Sequence, residues 1–170
     1  MRHLDLPRNH ESTKVVLSKK VFVFSCFRGF FLLAILLAGR GLVSAADTTS
    51  LIIDRAVAIQ VSLSHDKMDG VSVNATGIAT DAESLGKPGE KIVAGAMALQ
   101  KAKKIDEARE AFGRMSEALV AYLDAQKQKP GNGMRVAYCP MVRKPWLQKD
   151  GAIQNPYYGA SMLTCGSFKP

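Results

Sequence analysis

Between Ser50 and Leu63 the apolar residues Ile52, Ala56, Ile59 and Leu63 return every three or four positions, the period of one helix face. Asp47, Thr48, Thr49 and Ser50 all offer side-chain oxygens suited to an N-cap ahead of it. Ser64-His65-Asp66-Lys67 reads as the frayed end of that helix, with His65 read first as a solvated histidine and second as an added imidazole ligand. Asp69 then suits the cap of a second helix, whose inner face is Val71, Ala75, Ile78, Ala82 and Leu85. Its β-branched residues and Gly77 give it low intrinsic propensity, and Gly86-Lys87-Pro88-Gly89 stops it. A third helix is expected from about Glu90 to Lys103, with Ile92, Ala96 and Leu99 facing inward and Met97 beside them. The fourth has the clearest stripe: Ile105, Ala108, Phe112, Met115, Leu119 and Tyr122, against Glu107, Glu110, Arg114 and Glu117 on the wet side. Met97 and Met115 are both expected in the core.

Four amphipathic segments joined by short loops predict an all-α fold, an up-and-down four-helix bundle over residues 46–128. Residues 129–170 are expected as an ordered C-terminal loop region that packs on the bundle and completes the same domain. Its start, Met134 to Tyr138, has the look of a short extended segment, and Pro140, Pro145 and Trp146 suggest an irregular path beyond it. Asn155-Pro156 favours a turn, Gly159 suits a positive φ, and Tyr157 and Tyr158 are large enough to pin the turn to the helices. Alanine-rich helix faces bury little area, so a bundle of about 75 residues gains from a covalent or metal staple.

The first 45 residues follow another pattern. Lys14, Lys19 and Lys20 precede a run from Val21 to Ala38 that is apolar except for Ser25, Arg28 and Gly29, and Val43-Ser44-Ala45 fits a small-x-small cleavage site. Residues 1–45 are therefore expected to be a signal peptide. Its uninterrupted stretch, Phe30 to Ala38, falls far short of the roughly 20 residues that span a bilayer. No stable membrane span is expected after cleavage.

Removing that segment changes the electrostatics. The whole chain has 23 Lys/Arg and 15 Asp/Glu, a formal +8, but residues 1–45 hold seven and two of these, which leaves sixteen and thirteen, or +3. The basic pI belongs largely to the leader, so it is no ground for a nucleic-acid partner, and none is expected. Of three cysteines, Cys26 leaves with the leader, and Cys139 and Cys165 stay as an even pair in a compartment that permits a disulfide. With His65 the one histidine left, no Ser/His/Asp or Cys/His arrangement stands out and no phosphate-binding glycine loop is present, so no enzyme is expected.

The most distinctive residues come last. Tyr138-Cys139-Pro140-Met141, Trp146-Leu147, Ile153-Gln154-Asn155-Pro156-Tyr157-Tyr158-Gly159 and Met162-Leu163-Thr164-Cys165-Gly166 follow one another across 29 positions. Together with the helical Ala111 to Leu119, they resemble a periplasmic bacterial domain family of unassigned biochemical function, found alone or at the C-terminus of the membrane-fusion adaptors of copper and silver efflux pumps. The resemblance covers most of residues 50–167. It departs in one place, where Val142-Arg143-Lys144-Pro145 replaces a longer, glycine-containing insert. It implies a helical periplasmic domain linked to heavy-metal handling, with an efflux adaptor or another envelope protein as partner.

The residue chemistry accords with that link. Thiolates and thioethers are soft donors that select Cu(I) or Ag(I) over hard cations. Cys139 with Met141, and Met162 with Cys165, make a candidate sulfur site if the aromatic turn folds them together. Zinc fits less well, because a thioether is a poor zinc ligand and one histidine remains. The alternative is a structural Cys139–Cys165 disulfide, with Met141 and Met162 filling gaps, in a helical interaction module of the envelope that carries no metal. Tyr138, Trp146, Asn155, Pro156, Tyr157, Tyr158 and Gly159 would then support the loop in either case. Arg135, Arg143, Lys144 and Lys149 give the region a basic rim.

Overall fold

The computed structural model describes residues 44–131 and 133–170, so the expected signal peptide lies outside the described residues except for its last two positions. Helix α1 runs Ala45–Ser64. Its cap is Ser44, whose Oγ accepts the Ala46 N–H at 3.3 Å. The oxygens of residues 47–50 fall inside the helix instead, where Thr49 donates to the Ala45 carbonyl at 2.8 Å. Helix α2 (Val71–Glu83) begins after Gly70, whose φ of 72° makes the turn without a side-chain cap from Asp69. A 3-10 turn at Lys87–Gly89 leads into α3 (Glu90–Lys101). Helix α4 (Ile105–Ala125) is closed at its start by Glu107, whose carboxylate accepts the N–H groups of Lys103 and Lys104 at 3.0 and 3.3 Å.

The expectation of an all-α fold is overturned beyond the helices. Strands β1 (Met134–Cys139), β2 (Lys144–Lys149) and β3 (Ser167–Phe168) form an antiparallel sheet in the order β2-β1-β3. The protein is mixed α/β. Pro145 made residues 144–149 read as irregular, yet it sits opposite Tyr138 in β2, an edge strand of the sheet. Its carbonyl is taken by the Tyr157 hydroxyl, so its backbone faces away from β1 and the missing N–H costs no ladder bond. Residues Pro140 to Arg143 form the hairpin turn, with Arg143 at a φ of 56°, so the short insert supplies Val142 and Arg143 to the turn and Lys144 and Pro145 to β2.

The sheet also changes how the helices close. Neighbouring helices pack in sequence, and α3 comes close enough to α4 that a Cβ on Gly95 would sit 2.7 Å from the Met115 backbone. Helices α1 and α4, however, scarcely meet. Strand β2 packs against both and occupies the seam that a bundle would close with helix on helix. One core results: Ile52, Phe112 and Met115 belong to the same buried cluster as Ala137, Cys139, Trp146, Leu147 and Tyr157. Met115 is fully buried as expected, whereas Met97 is 45% exposed on the outer side of α3. Among the described residues no helix is long and apolar enough to cross a membrane.

Candidate sulfur site

Cys139 ends β1 with no solvent exposure. The pairing of β1 with β3 sets Tyr138 opposite Ser167, so Cys139 lies one step past that pair and Cys165 two residues before it. The two thiols are neighbours and both are free. Cys165 is half-buried, and its thiol pKa is raised, first by desolvation and then by the Cys139 thiol beside it. Between Cys165 and β3, Gly166 has a φ of 141°, and a Cβ there would meet Trp146 Cη2 at 2.7 Å and the Tyr138 carbonyl at 2.9 Å. Only glycine lets the chain pass flat across the indole at this point.

A single carboxamide fastens the surroundings of both sulfurs. Asn155 is fully buried, and its Oδ1 accepts the Tyr157 N–H at 2.8 Å, which settles which end of the amide is oxygen. Its Nδ2 then donates to Cys139 Sγ at 3.2 Å and to the Cys165 carbonyl at 2.6 Å. Its backbone N–H donates to the Leu163 carbonyl at 2.7 Å. Strand end, turn and tail meet in one residue whose side-chain amide and backbone N–H are satisfied.

Aromatic rings and two polar latches hold that assembly to the helices. Tyr157 is buried, donates from its hydroxyl to the Pro145 carbonyl at 2.5 Å, and packs edge-on to Trp146 and tilted to Phe112, both at 5.9 Å. Burial pushes its phenol pKa far up. Trp146 Nε1 donates to Gln148 Oε1 at 3.0 Å, and Gln60 on α1 reaches the Gln154 carbonyl at 2.7 Å. On the other side Arg109 of α4 donates to the Pro156 and Leu63 carbonyls at 3.1 and 3.2 Å and to Asp66 Oδ1. Asp66 Oδ2 accepts the Ala160 N–H at 3.0 Å. That amide first, and Arg109 second, hold the Asp66 carboxyl below its ordinary pKa. Gly159, at a φ of 56° as expected for that turn, passes so near that a Cβ would collide with the Asp66 carboxylate.

The fold therefore brings together Cys139, Cys165, Trp146, Asn155, Pro156, Tyr157 and Gly159. Met141 stands on the hairpin turn, 59% exposed, and Met162 ends the 3-10 turn Gly159–Met162, half-buried. Neither thioether joins the apolar core. Met162 is nonetheless tied to the site through its carbonyl, which accepts the Cys165 N–H at 3.0 Å. Tyr138 and Tyr158 are half-buried. His65 caps the end of α1, exposed, with Nδ1 2.8 Å from the Val61 carbonyl, in keeping with its reading as a solvated helix end. Two members of the basic rim are engaged, Lys144 with Glu117 and Arg135 with Asp150. The latch residues Arg109, Asp66, Gln60 and Gln148 were not found from the sequence. The available signal was slight: Arg109 and Gln60 each border an apolar stripe, between Ala108 and Phe112 and beside Ile59.

Among the described residues no group of three or more His, Cys, Asp or Glu side chains is placed to hold a metal. The donors brought together here are the two adjacent thiols; Met141 follows one by two residues and Met162 precedes the other by three in sequence. Such a set suits a soft monovalent ion and not a hard cation. A cleft of about 580 Å³ opens between α1 and the end of β2, lined by Gln60, Gln148 and Gln154 and by neither cysteine. No family model, curated protein or solved structure matches this chain.

Proposed function

We propose that this is a periplasmic protein that binds Cu(I) or Ag(I) through Cys139 and Cys165, and buffers the ion or hands it to an efflux adaptor. The observation that carries the reading is the adjacency of two free thiols, with a buried amide donor on one of them. That N–H donor fixes the position of the Cys139 sulfur, and the thiolate is the form in which a cysteine binds metal. Met141 and Met162 are the supplementary thioether donors. The exposed position of Met141 suits first capture of an ion from solvent or from a partner, since the Cys139 sulfur lies out of reach. The periplasmic setting and the adaptor are supported by the leader-like first 45 residues and by the resemblance of the terminal motifs.

A second reading rests on the same adjacency. In an oxidising compartment neighbouring thiols close to a disulfide, and the protein is then a clasped interaction module that docks an envelope partner through its aromatic and basic C-terminal face. The two readings separate in an anaerobic titration of reduced protein with Cu(I) against a competing chelator, in a Cys26→Ser background. The metal reading expects one ion per chain, with affinity lost in Cys139→Ser and in Cys165→Ser. Reduced protein that takes up no Cu(I) would leave the clasp.

A further inference from the structure

The two cysteines differ in access, and that difference gives them separate chemical roles. Cys139 is fully buried in the core and covered by the Asn155 amide, whereas Cys165 is half-exposed in the tail between the 3-10 turn and β3. An external disulfide can reach only the second. Cys165 also lies outside the strand ladder, which begins only at Ser167 and pairs at two positions, whereas Cys139 is part of β1. We propose that the pair is a thiol–disulfide exchange centre in which Cys165 is the entry thiol and Cys139 the resolving thiol.

The steps balance with a disulfide of the compartment as oxidant. The Cys165 thiolate, its proton given to water, attacks one sulfur of the external disulfide. A mixed disulfide forms on Cys165, and the first external thiolate leaves and takes up a proton. The Cys139 thiolate, likewise deprotonated, then attacks Sγ of Cys165 and expels the second external thiolate. The chain has lost two protons and two electrons and gained an internal bond, and the external disulfide has become two thiols. The exchange uses the sulfurs of the proposed metal site but needs no metal, so it stands or falls separately. Where both hold, the oxidised pair has no thiolate to offer, and exchange releases the ion.

Full chain with Cys26→Ser, reduced and freed of reductant under anaerobic conditions, is mixed with glutathione disulfide, quenched in acid at intervals and mapped by mass spectrometry. The parent chain is expected to lose two hydrogens and to show only a transient glutathione adduct, located on Cys165. With Cys139→Ser added the adduct on Cys165 accumulates, because nothing resolves it. With Cys165→Ser added, Cys139 reacts at least about tenfold more slowly, since reaching it requires local opening. Equal rates at the two cysteines, a first adduct on Cys139, or a parent chain that stalls as the mixed disulfide would each overturn the assignment. The quench series on the parent chain locates the first adduct even if a serine variant fails to fold, and Cu(I) uptake by the same reduced sample is scored independently.

Discussion

The helical platform and the C-terminal sheet share one core but are held in different ways. From α1 to α4 the buried contacts are mainly those of small and branched apolar side chains, Ala56, Ala75, Ile78, Ala96 and Leu99 among them, and the polar links between helices, such as Arg55 with Asp81 and Gln100 with Thr76, lie nearer the surface. Beyond residue 133 the strands are short, and the turns between them are fixed by directed bonds. Asn155 spans strand end and tail, Tyr157 reaches Pro145, Gln60 reaches Gln154, and Arg109 with Asp66 holds the turn. Dispersed apolar packing tolerates a change of shape better than a satisfied polar network tolerates the loss of one member. The site belongs to the second kind of region, so its geometry depends on few residues.

The strongest perturbation of the sheet region is Trp146→Ala. It empties the volume of a fully buried indole and is expected to cost about 3–5 kcal/mol in urea unfolding. Next comes Asn155→Ala, which leaves the Tyr157 N–H and the Cys165 carbonyl without partners at about 1–3 kcal/mol for each buried group, and which loosens the tail in hydrogen exchange. The platform supplies the contrast: Leu99→Met, fully buried but conservative in volume, is expected to cost less than about 1.5 kcal/mol. A loss at Leu99→Met as large as at Asn155→Ala would break the comparison. Tyr157→Phe removes one hydroxyl and should cost about 1 kcal/mol while the aromatic stack stays.

The smallest effect is one of pH. Asp66 has a folded pKa below its ordinary value of 3.8, so its contribution is complete above that value and is lost as pH falls through the lower folded one. Melting temperature measured down the acid limb should therefore fall less steeply in Asp66→Asn than in the parent. Identical acid limbs would show that the Ala160 and Arg109 contacts do not hold the turn in solution.

Legibility follows the same division. Helical period made all four helices readable, because sets such as Ile52, Ala56, Ile59 and Leu63 repeat at three and four residues, a spacing that has one geometric meaning. It said nothing of what closes α1 against α4, since an apolar face accepts a strand as readily as a helix. β2 was missed because Pro145 reads as a breaker unless its edge position is known, and Leu147 and Gln148 do not alternate: both are buried. Met97 borders the stripe of α3 and so reads as core, but the residue next to a stripe can turn either way, and here it turns outward. In the site, Asn155, Tyr157 and Gly159 stood out as turn residues, but the bridging of both cysteines by Asn155 has no one-dimensional trace. Arg109 and Asp66 meet across 43 positions of sequence, a pairing set by how α4 packs and by no local pattern.

The most direct measurement is X-ray absorption at the copper edge of reduced protein, loaded anaerobically with one equivalent of Cu(I) in the Cys26→Ser chain. The expected result is a first shell of sulfur alone, diminished in Cys139→Ser and in Cys165→Ser. A shell of nitrogen or oxygen, or one unchanged in both variants, would contradict it and move the ion away from this pair.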